Sequence, residues 1–271
     1  MDKIKYFENI KTLTLLAKKE IGQNFLIDYK VAERIVSSLE EKEDERILEI
    51  GAGAGSISFF LSEKNNHVDL IDIDEGMLVK LKEDFKDKDN VHPQYGNAMD
   101  FDYSSYDLII GNLPYYITTG IIENVLLKAK KCRRAVFMVQ KEAARRIMAK
   151  KENEDYSPLN IYLNYVADIK LLFNVGRNSF TPIPHVDSSI ILIDFKKDKH
   201  DEEAKEMYLL AKKLFLNRRK TIYNNLKNYL EDASKAEKVL KDAKIEANRR
   251  PEQLSDQDYL RILSIIKKYQ K

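Results

Sequence analysis

The residues best suited to chemistry follow an apolar run, Leu108-Ile109-Ile110, which has the length and β-branched content of a buried strand. The hexapeptide Gly111-Asn112-Leu113-Pro114-Tyr115-Tyr116 ends that strand, because Gly-Asn and Leu-Pro are turn signals. Pro114 fixes its own φ and biases Leu113 toward an extended backbone, which holds the nearby carbonyls at set angles. Ligands bind at the carboxyl ends of strands in open α/β sheets. An amide, carbonyl acceptors and aromatic faces at such an end suit a flat ring with an exocyclic amine, although a turn with rim tyrosines would also give this pattern.

A second set of chemical groups surrounds a glycine-rich turn. The heptapeptide Glu49-Ile50-Gly51-Ala52-Gly53-Ala54-Gly55 follows a predicted strand and opens a predicted helix, and its glycines let the backbone approach a ligand closely. Asp72 lies twenty-one residues after Gly51, at the end of the next predicted strand, where a carboxylate can accept from both hydroxyls of a ribose. An NAD site makes the same demands, but Glu49 favours S-adenosylmethionine because an acid there would repel a pyrophosphate. Asn97, after the third strand, offers an amide to an adenine edge, so the sequence predicts an adenosine-type cofactor.

These groups need a sheet to position them, and the hydrophobic pattern predicts one. Apolar runs of strand length alternate with amphipathic stretches of helical period, which indicates βαβ units in a mostly parallel, doubly wound sheet. Residues 1–20 are predicted as a helical leader, and Asp28 as the N-cap of a following helix. Strands are predicted at 46–50, 67–73, 91–95, 106–110 and 135–139, and helices at 75–85, 119–129 and 141–150.

The pattern changes beyond Pro158. Two more strands are predicted at 169–175 and 188–195, separated by a stiff loop around Pro182. After residue 199 the periodicity is helical to the end, so a domain boundary is expected near residue 198. The predicted fold class is α/β, with a Rossmann-like domain at 1–198 and a smaller all-helical C-terminal domain at 199–271.

Composition bounds the class of protein. The 271 residues are 44% hydrophobic and 33% charged, which is typical of a soluble globular protein. The single cysteine, Cys132, excludes a disulfide framework and a cysteine-based metal site. Since the sequence shows no apolar run of membrane-spanning length and no signal-peptide core in residues 1–20, a cytoplasmic location is expected.

The net charge of +2 hides an asymmetry along the chain. From Lys128 to Lys151 there are ten basic residues and one acidic residue, and from Lys212 to Lys220 there are five basic residues and none acidic. Such clusters are expected where a polyanion binds, although solvated helix faces would also produce them.

Further motifs occur in an order that narrows the class. Together with the glycine turn and Asn112-Leu113-Pro114-Tyr115, they resemble the ribosomal RNA adenine dimethyltransferases over about residues 19–263. The resemblance is to the KsgA type of small-subunit enzyme more than to the Erm type of large-subunit enzyme. The motifs are Gly22-Gln23-Asn24-Phe25-Leu26, Met138-Val139-Gln140-Lys141-Glu142, Phe180-Thr181-Pro182-Ile183-Pro184-His185-Val186-Asp187-Ser188, Arg218-Arg219-Lys220-Thr221 and Arg250-Pro251-Glu252-Gln253-Leu254-Ser255.

The resemblance implies a Rossmann-like S-adenosylmethionine-dependent methyltransferase domain at 1–198 and a helical RNA-binding domain at 199–271. It assigns the target amine to Asn112 and the Leu113 carbonyl, and stacking on the target base to Tyr115 and Phe180. The implied cofactor contacts are Asn24, Leu26, Gly51, Gly53, Asp72, Asn97 and Asn112.

Two positions depart from the family pattern. Asn97 stands where Asp is usual, and it retains an acceptor for an adenine amine if its amide oxygen faces that amine. Tyr156-Ser157-Pro158-Leu159-Asn160 replaces the usual Tyr-Gly-Arg-Leu-Ser. Phosphate contacts are expected from Lys141, Arg145, Arg146, Lys150, Lys151, Arg218, Arg219 and Lys220.

The predicted activity is transfer of methyl groups from S-adenosylmethionine to N6 of adenines in small-subunit ribosomal RNA, with dimethylation implied by the resemblance alone. The expected partner is this RNA within a small-subunit particle, and a monomer with neither metal nor membrane attachment is expected. Two alternatives stay open. One is an Erm-type enzyme of large-subunit RNA, which would confer macrolide resistance. The other is a non-catalytic RNA-binding protein of ribosome assembly, which the intact Asn112-Leu113-Pro114-Tyr115 disfavours.

Overall fold

The computed structural model describes residues 2–18, 22–196 and 202–270, and these form two compact units. Unit 1 takes the residues up to Ala144 together with Ile169–Phe195, and unit 2 takes Arg145–Asp168 with the residues from Lys196 onward. The boundary predicted near residue 198 falls outside the described residues. The segment Arg145–Asp168, which the prediction placed in the first domain, instead groups with the C-terminal helices.

Unit 1 is organised around a sheet of seven strands in the order β4-β3-β2-β5-β6-β9-β7. Strands β4 to β6 are mutually parallel, and β9 runs antiparallel to β6. A separate short pair joins β1 to β8. The strands are β1 Phe25–Leu26, β2 Ile47–Ile50, β3 Val68–Asp72, β4 Val91–Tyr95, β5 Leu108–Asn112, β6 Arg134–Gln140, β7 Ala167–Val175, β8 Phe180–Thr181 and β9 Ser188–Phe195.

Helices follow β2, β3, β5 and β6 as the periodicity predicted, whereas β4 is followed directly by β5. Asp28 caps α2 by accepting from the Lys30 and Val31 amides, and Asp74 caps α4 by accepting from Gly76. Every residue of β2 and β3 is buried, because helices cover both faces of a doubly wound sheet. The helices are α1 Lys3–Thr12, α2 Tyr29–Ser37, α3 Ser56–Leu61, α4 Glu75–Asp84, α5 Thr118–Lys128 and α6 Lys141–Ile147.

The strand order reverses between β2 and β5, which creates a crevice at their carboxyl ends. Ile50 pairs with Gly111 across this junction, so the glycine turn and Asn112 begin side by side. A Cβ on Gly111 would lie 2.5 Å from the Ile50 carbonyl oxygen, so glycine is needed for these strands to pair this closely. The chain therefore places its two predicted chemical regions at the topological switch point, where ligands bind in this class of fold.

The regular structure of unit 2, in its described residues, is helical apart from the first two residues of β7. The tyrosine rings of Tyr162 and Tyr208 lie 5.1 Å apart, which joins the segment around residue 160 to the C-terminal helices. The α/β class with a helical C-terminal region is thus confirmed, whereas a helix at α7 was not predicted. The remaining helices are α7 Pro158–Val166, α8 Glu202–Leu214, α9 Ile222–Leu230, α10 Ala233–Ala243 and α11 Asp256–Gln270. In the part of the chain that the structure describes, no helix has both the length and the apolar character needed to cross a membrane.

Candidate active site

A cavity of about 500 Å³ opens in unit 1 at the carboxyl ends of β2 and β5. The glycine turn lines one side of this cavity, and the segment that follows Asn112 lines the other. Nine residues predicted from the sequence line it together: Asn24, Leu26, Gly51, Gly53, Asp72, Asn97, Asn112, Leu113 and Tyr115.

The glycine turn owes its shape to three left-handed residues. Gly51, Gly53 and Gly55 have φ values of 69°, 51° and 89°, a region that side chains disfavour. The Gly53 amide donates to Asp72 Oδ2 at 2.7 Å, and the Asp74 amide donates to Asp72 Oδ1 at 2.8 Å. Burial raises the pKa of the Asp72 carboxyl, and these two backbone hydrogen bonds oppose that rise. Each carboxylate oxygen keeps a lone pair for a ligand hydroxyl.

Glu49 is the cavity residue whose titration is most altered by its surroundings. Its side chain is 1% exposed and accepts from the Ser58 hydroxyl at 2.6 Å. Burial raises the pKa of this carboxyl to about 8, and the nearby Asp72 carboxylate acts in the same direction. Burial therefore favours the protonated form of Glu49, which its position in a strand next to a glycine turn does not reveal.

The Asn112 side chain has one orientation fixed by its neighbour. Its Nδ2 donates to the Asn24 carbonyl at 3.2 Å, and Asn24 Nδ2 in turn donates to the Gly22 carbonyl at 3.0 Å. Because the amide nitrogen is engaged there, Oδ1 is the end of the group left to accept from a ligand. The motif that contains Asn24 thus orients the residue on which the predicted chemistry depends.

The residues after Asn112 are held by hydrogen bonds from two other elements. The Leu113 amide donates to the Met138 carbonyl at 3.0 Å, and the Thr118 hydroxyl donates to the Pro114 carbonyl at 2.9 Å. The Tyr115 hydroxyl lies 3.3 Å from Ser188 Oγ, and burial raises the pKa of this phenol. The Leu113 carbonyl and the Tyr115 ring are consequently fixed parts of the cavity wall.

Asn97 makes local hydrogen bonds at both ends of its amide. Oδ1 accepts from the Met99 amide at 3.0 Å, and Nδ2 donates to Asp100 Oδ2 at 3.3 Å. The side chain is exposed at the cavity edge, so the second lone pair of Oδ1 and the second Nδ2 proton stay available.

Three exposed aromatic or aliphatic side chains at the cavity were missing from the predicted cofactor contacts. Ile73, Tyr95 and Tyr116 line it with exposed fractions of 39%, 63% and 57%. Tyr116 stands within the hexapeptide after β5, whereas the signal for Ile73 and Tyr95 is their position at the ends of β3 and β4. Exposed rings and branched side chains at a cavity are surfaces on which a planar base can stack.

A polar clamp on the segment before β1 was also not predicted. Lys18 Nζ donates to Asp74 Oδ1 at 2.8 Å, and Gln23 Nε2 donates to Asp74 Oδ2 at 2.9 Å. Although burial opposes ionisation of Asp74, the bonds from Lys18 and Gln23 hold the pKa of its carboxyl below the ordinary value. These bonds connect the segment that carries Asn24 to the start of α4.

Phe180 is the one predicted cavity residue that does not line the cavity. It is 1% exposed, belongs to the hydrophobic core and pairs with Leu26 through β8 and β1. Stacking of Phe180 on a base would require the ring to leave this core, and that role stays a prediction.

The predicted phosphate contacts have unequal surroundings. Lys141, Arg145, Arg146, Lys150, Lys151, Arg219 and Lys220 are exposed. Arg145 and Arg146 both approach Asp155, at 3.2 Å and 3.7 Å. Arg218 is half-buried and donates to the Glu154 and Asn153 carbonyls, so it supports the unit 2 backbone.

The substituted stretch at residue 160 holds the end of the arginine-bearing helix. Asn160 is 1% exposed, and its Nδ2 donates to the Arg146 and Ile147 carbonyls at 2.9 Å each. Its Oδ1 accepts from the Ser157 amide at 2.9 Å, and Pro158 occupies the first turn of α7. Two of the residues that depart from the family pattern here, Ser157 and Asn160, therefore satisfy one another and the end of the helix by hydrogen bonds.

Part of the basic block between Lys128 and Lys151 is neutralised within unit 1. Lys131 pairs with Asp107, Arg133 with Glu45, and Arg134 with Glu40 and Asp194. Counting charges along the sequence therefore overstates the number of cations available to a polyanion.

Comparison with known proteins gives a consistent result. A family model described as ribosomal RNA adenine dimethylase matches residues 14–268. A Mesomycoplasma hyopneumoniae (strain 232) protein named ribosomal RNA small subunit methyltransferase A is 37% identical over 246 residues, which cover 90% of this chain and 94% of the relative. A protein of the same name from Mesoplasma florum is 36% identical over 260 residues, covering 91% of this chain and 97% of the relative.

Solved structures show the same fold. A dimethyladenosine transferase from Plasmodium falciparum superposes with a TM-score of 0.78 and 25% identity, covering 89% of this chain and 96% of the other. The 23S rRNA methyltransferase ErmE superposes with a TM-score of 0.67 and 22% identity, covering 90% and 99%, which shows the fold alone. The resemblance predicted from the motifs is confirmed: this chain belongs to the ribosomal RNA adenine dimethylase family.

Proposed function

We propose that this protein transfers methyl groups from S-adenosylmethionine to N6 of adenines in small-subunit ribosomal RNA, with N6,N6-dimethyladenine as the product. The observation that carries the proposal is the orientation of Asn112, whose amide nitrogen is bonded to the Asn24 carbonyl so that Oδ1 is left as an acceptor. The substrate class follows the names of the relatives, both of which are called small subunit methyltransferases.

The cavity suits the proposed cofactor on chemical grounds. Gly51 and Gly53 expose backbone where a Cβ would narrow the space, since a Cβ on Gly51 would lie 3.4 Å from the Asn112 carbonyl oxygen. Asp72 would accept from the ribose hydroxyls, and Asn97 would bond the adenine edge. S-adenosylmethionine, when bound, supplies an electrophilic methyl group on a sulfonium.

The protein's part in the reaction is to prepare the target nitrogen. The lone pair of an adenine N6 is delocalised into the ring, which makes the amine a poor nucleophile. Hydrogen bonds from its two N–H groups to Asn112 Oδ1 and the Leu113 carbonyl favour a tetrahedral nitrogen with a localised lone pair. As the N–C bond forms, the C–S bond of the sulfonium would break, and the methylated nitrogen would release its extra proton to solvent. This is catalysis by positioning and by preorganised acceptors, and the transfer itself requires no general base.

The target adenine must leave its stack to reach these acceptors. The Tyr115 ring, fixed through its hydroxyl beside Ser188, offers an aromatic face that offsets the cost of unstacking. A second transfer needs the singly methylated base to rotate on this face, so that the remaining N–H group meets an acceptor.

The exposed cations would bind the phosphate backbone. The exposed side chains are Lys141, Arg145, Arg146, Lys150, Lys151, Arg219 and Lys220, whereas Arg218 is half-buried and donates to two backbone carbonyls. Recognition would therefore depend on RNA shape and phosphate position.

The test supplies labelled S-adenosylmethionine together with unmethylated small subunits or large-subunit ribosomal RNA, and maps modified bases by primer extension. The proposal expects doubly methylated adenines in the small-subunit RNA alone. Methylation of the large-subunit RNA would favour an Erm-type enzyme instead. Tight binding to a particle without transfer to any RNA would favour an assembly protein.

A further inference from the structure

The N-terminal helix α1 lies outside the residues that the family model matches, yet it packs into the core of unit 1. The match begins at residue 14, whereas α1 ends at Thr12. Tyr6, Phe7 and Ile10 are 4%, 2% and 0% exposed. The Tyr6 ring lies 5.0 Å from the Phe59 ring, so α1 packs against the helix that the glycine turn begins.

The Tyr6 hydroxyl reaches the glycine turn directly. It lies 3.2 Å from the Ala54 carbonyl oxygen and 3.0 Å from Asp84 Oδ2. Lys80 Nζ donates to the same carbonyl at 3.1 Å and pairs with Asp84. Two donors from different helices therefore meet on one carbonyl of the turn, and a phenol has only one proton to share between its two acceptors.

Gly55 shows that the turn and α1 fit each other closely. It has a φ of 89°, and a Cβ there would overlap the Tyr6 hydroxyl and approach Leu81 Cδ2 at 3.0 Å. On the cavity side, the Gly53 amide of the same turn donates to Asp72. The turn is thus bonded on its outer side by Tyr6 and on its inner side by the carboxylate assigned to the ribose.

We infer that α1 positions the glycine turn, and that it does so through Tyr6. Bonding of the Ala54 carbonyl fixes the Ala54–Gly55 peptide, which sets the direction of the Gly53 amide and the place of Asp72. Tyr6 is a positioning residue, since it touches the turn and does not line the cavity. The inference rests on the proposed function only in naming S-adenosylmethionine as the ligand that the turn receives.

The experiment uses the full chain with Tyr6→Phe, and with Phe7→Leu as the matched control on the same helix. Phe7→Leu loosens core packing without removing a bond to Ala54. Amide hydrogen exchange at Gly53 and Gly55 is measured in the ligand-free protein, and S-adenosylmethionine affinity is measured by calorimetry. Tyr6→Phe is expected to accelerate exchange at both amides and weaken binding about three- to tenfold, as for the loss of one hydrogen bond. Phe7→Leu should leave both readouts near wild type, whatever its melting temperature.

A second variant tests whether Tyr6 and Lys80 act on the same carbonyl of the turn. Lys80→Met removes the other donor, and because both donors act on one carbonyl, the effects of Tyr6→Phe and Lys80→Met should not be additive. Wild-type exchange in Tyr6→Phe overturns the inference, and so does an affinity loss in Phe7→Leu equal to that in Tyr6→Phe. Accelerated exchange without loss of affinity overturns it as well. Absence of S-adenosylmethionine binding by the wild type overturns the proposed function, whereas the exchange measurement still decides whether Tyr6 anchors the turn.

Discussion

The polar groups of the cavity and the basic groups of unit 2 are held in opposite ways. Asn112, Asp72 and Asn97 each receive or donate hydrogen bonds that fix the direction of a particular atom. Arg145 and Arg146 instead share one carboxylate, Asp155, through arginine side chains that are each 63% exposed, and such solvent-screened ion pairs are weak and allow many geometries. The cavity therefore holds individual polar atoms in fixed directions, whereas the basic surface around Arg145 and Arg146 provides positive charge without fixed geometry.

This difference determines how each region should respond to mutation. Removing one oriented atom from the cavity should affect one step strongly and leave other steps unchanged. Removing charges from unit 2 should weaken binding gradually and in proportion to the number removed. Rates of methyl transfer test the first expectation, and the salt dependence of RNA affinity tests the second.

The largest effect is expected from Asn112→Ala. This change removes an acceptor used chiefly in the transition state, so the rate should fall far more than RNA binding. We expect a loss of order 10² or more in single-turnover methyl transfer, similar to the loss of one oxyanion-hole donor. RNA affinity should change by only a few-fold.

Tyr115→Ala is the contrasting variant for that experiment. It keeps the acceptors and removes the stacking face, so it should cost about 1–3 kcal/mol in holding the flipped base. If Asn112→Ala transfers methyl groups at the wild-type rate, Asn112 is a turn residue and the proposed mechanism is wrong.

A second prediction concerns the buried carboxyl of Glu49 and the pH dependence of stability. Burial raises its pKa to about 8 in the folded chain, against an ordinary value of 4.5. Between these values the folded chain holds a proton that the unfolded chain releases, so the free energy of unfolding should fall as pH rises from about 5 to 8. One such proton corresponds to roughly 1 kcal/mol per pH unit.

Glu49→Gln should remove this slope, because glutamine is neutral and can still accept from Ser58. Urea unfolding at several pH values between 5 and 8 measures it. The exposed Glu63→Gln variant serves as the control and should follow the wild type. Parallel curves for wild type and Glu49→Gln would mean that Glu49 is ionised in the folded chain.

The basic surface is tested by replacing Arg145, Arg146 and Lys150 with glutamine. Each lost phosphate contact should reduce the slope of log affinity against log salt by about 0.7 to 0.9, so the triple variant should lose about 2 to 3 from that slope. S-adenosylmethionine affinity should be unchanged. The matched control replaces Lys227, Lys235 and Lys241, which are exposed elsewhere in unit 2, and removes the same net charge.

Equal effects of the two triple variants would indicate a general response to net charge. An unchanged slope in the first variant would mean that its side chains form a solvated helix face.

The sequence was most informative where backbone and side chain demands coincide. Gly51, Gly53 and Asn112 are recognisable because a tight turn or a strand end permits few residue types, and the structure places all three at one cavity. The strand and helix order was predictable for the same reason, since periods of two and 3.6 residues report which faces are buried.

Contacts between distant segments could not be predicted in this way. Phe180 occurs in a motif with Pro182, yet its burial depends on pairing with Leu26, more than a hundred residues away. Tyr6 has the spacing of a core residue on a helix, and nothing local indicates that its hydroxyl meets Ala54. Arg218 was grouped with its basic neighbours, although the backbone of residues 153 and 154 engages it.

The smallest predicted effect concerns Asn97, where the residue itself departs from the family pattern. Its Oδ1 accepts from Met99 and its Nδ2 donates to Asp100, so the amide is oriented by one donor and one carboxylate. If Oδ1 bonds the adenine amine, Asn97→Ala should weaken S-adenosylmethionine binding by roughly 1 kcal/mol, the value of one neutral hydrogen bond.

Asn97→Asp tests whether this chain has adapted to its asparagine. The substitution keeps the acceptor but places a second carboxylate where Nδ2 now donates to Asp100, so like charges would meet. We therefore expect Asn97→Asp alone to bind less tightly than the double variant Asn97→Asp, Asp100→Asn, which restores an amide donor opposite a carboxylate. A double-mutant cycle requires the wild type, Asn97→Asp, Asp100→Asn and the double variant. Calorimetry of S-adenosylmethionine binding to these four proteins gives the coupling between the two positions. Additive effects would show that residues 97 and 100 do not act together on cofactor binding, and wild-type affinity in Asn97→Ala would show that the Asn97 side chain does not bond the cofactor.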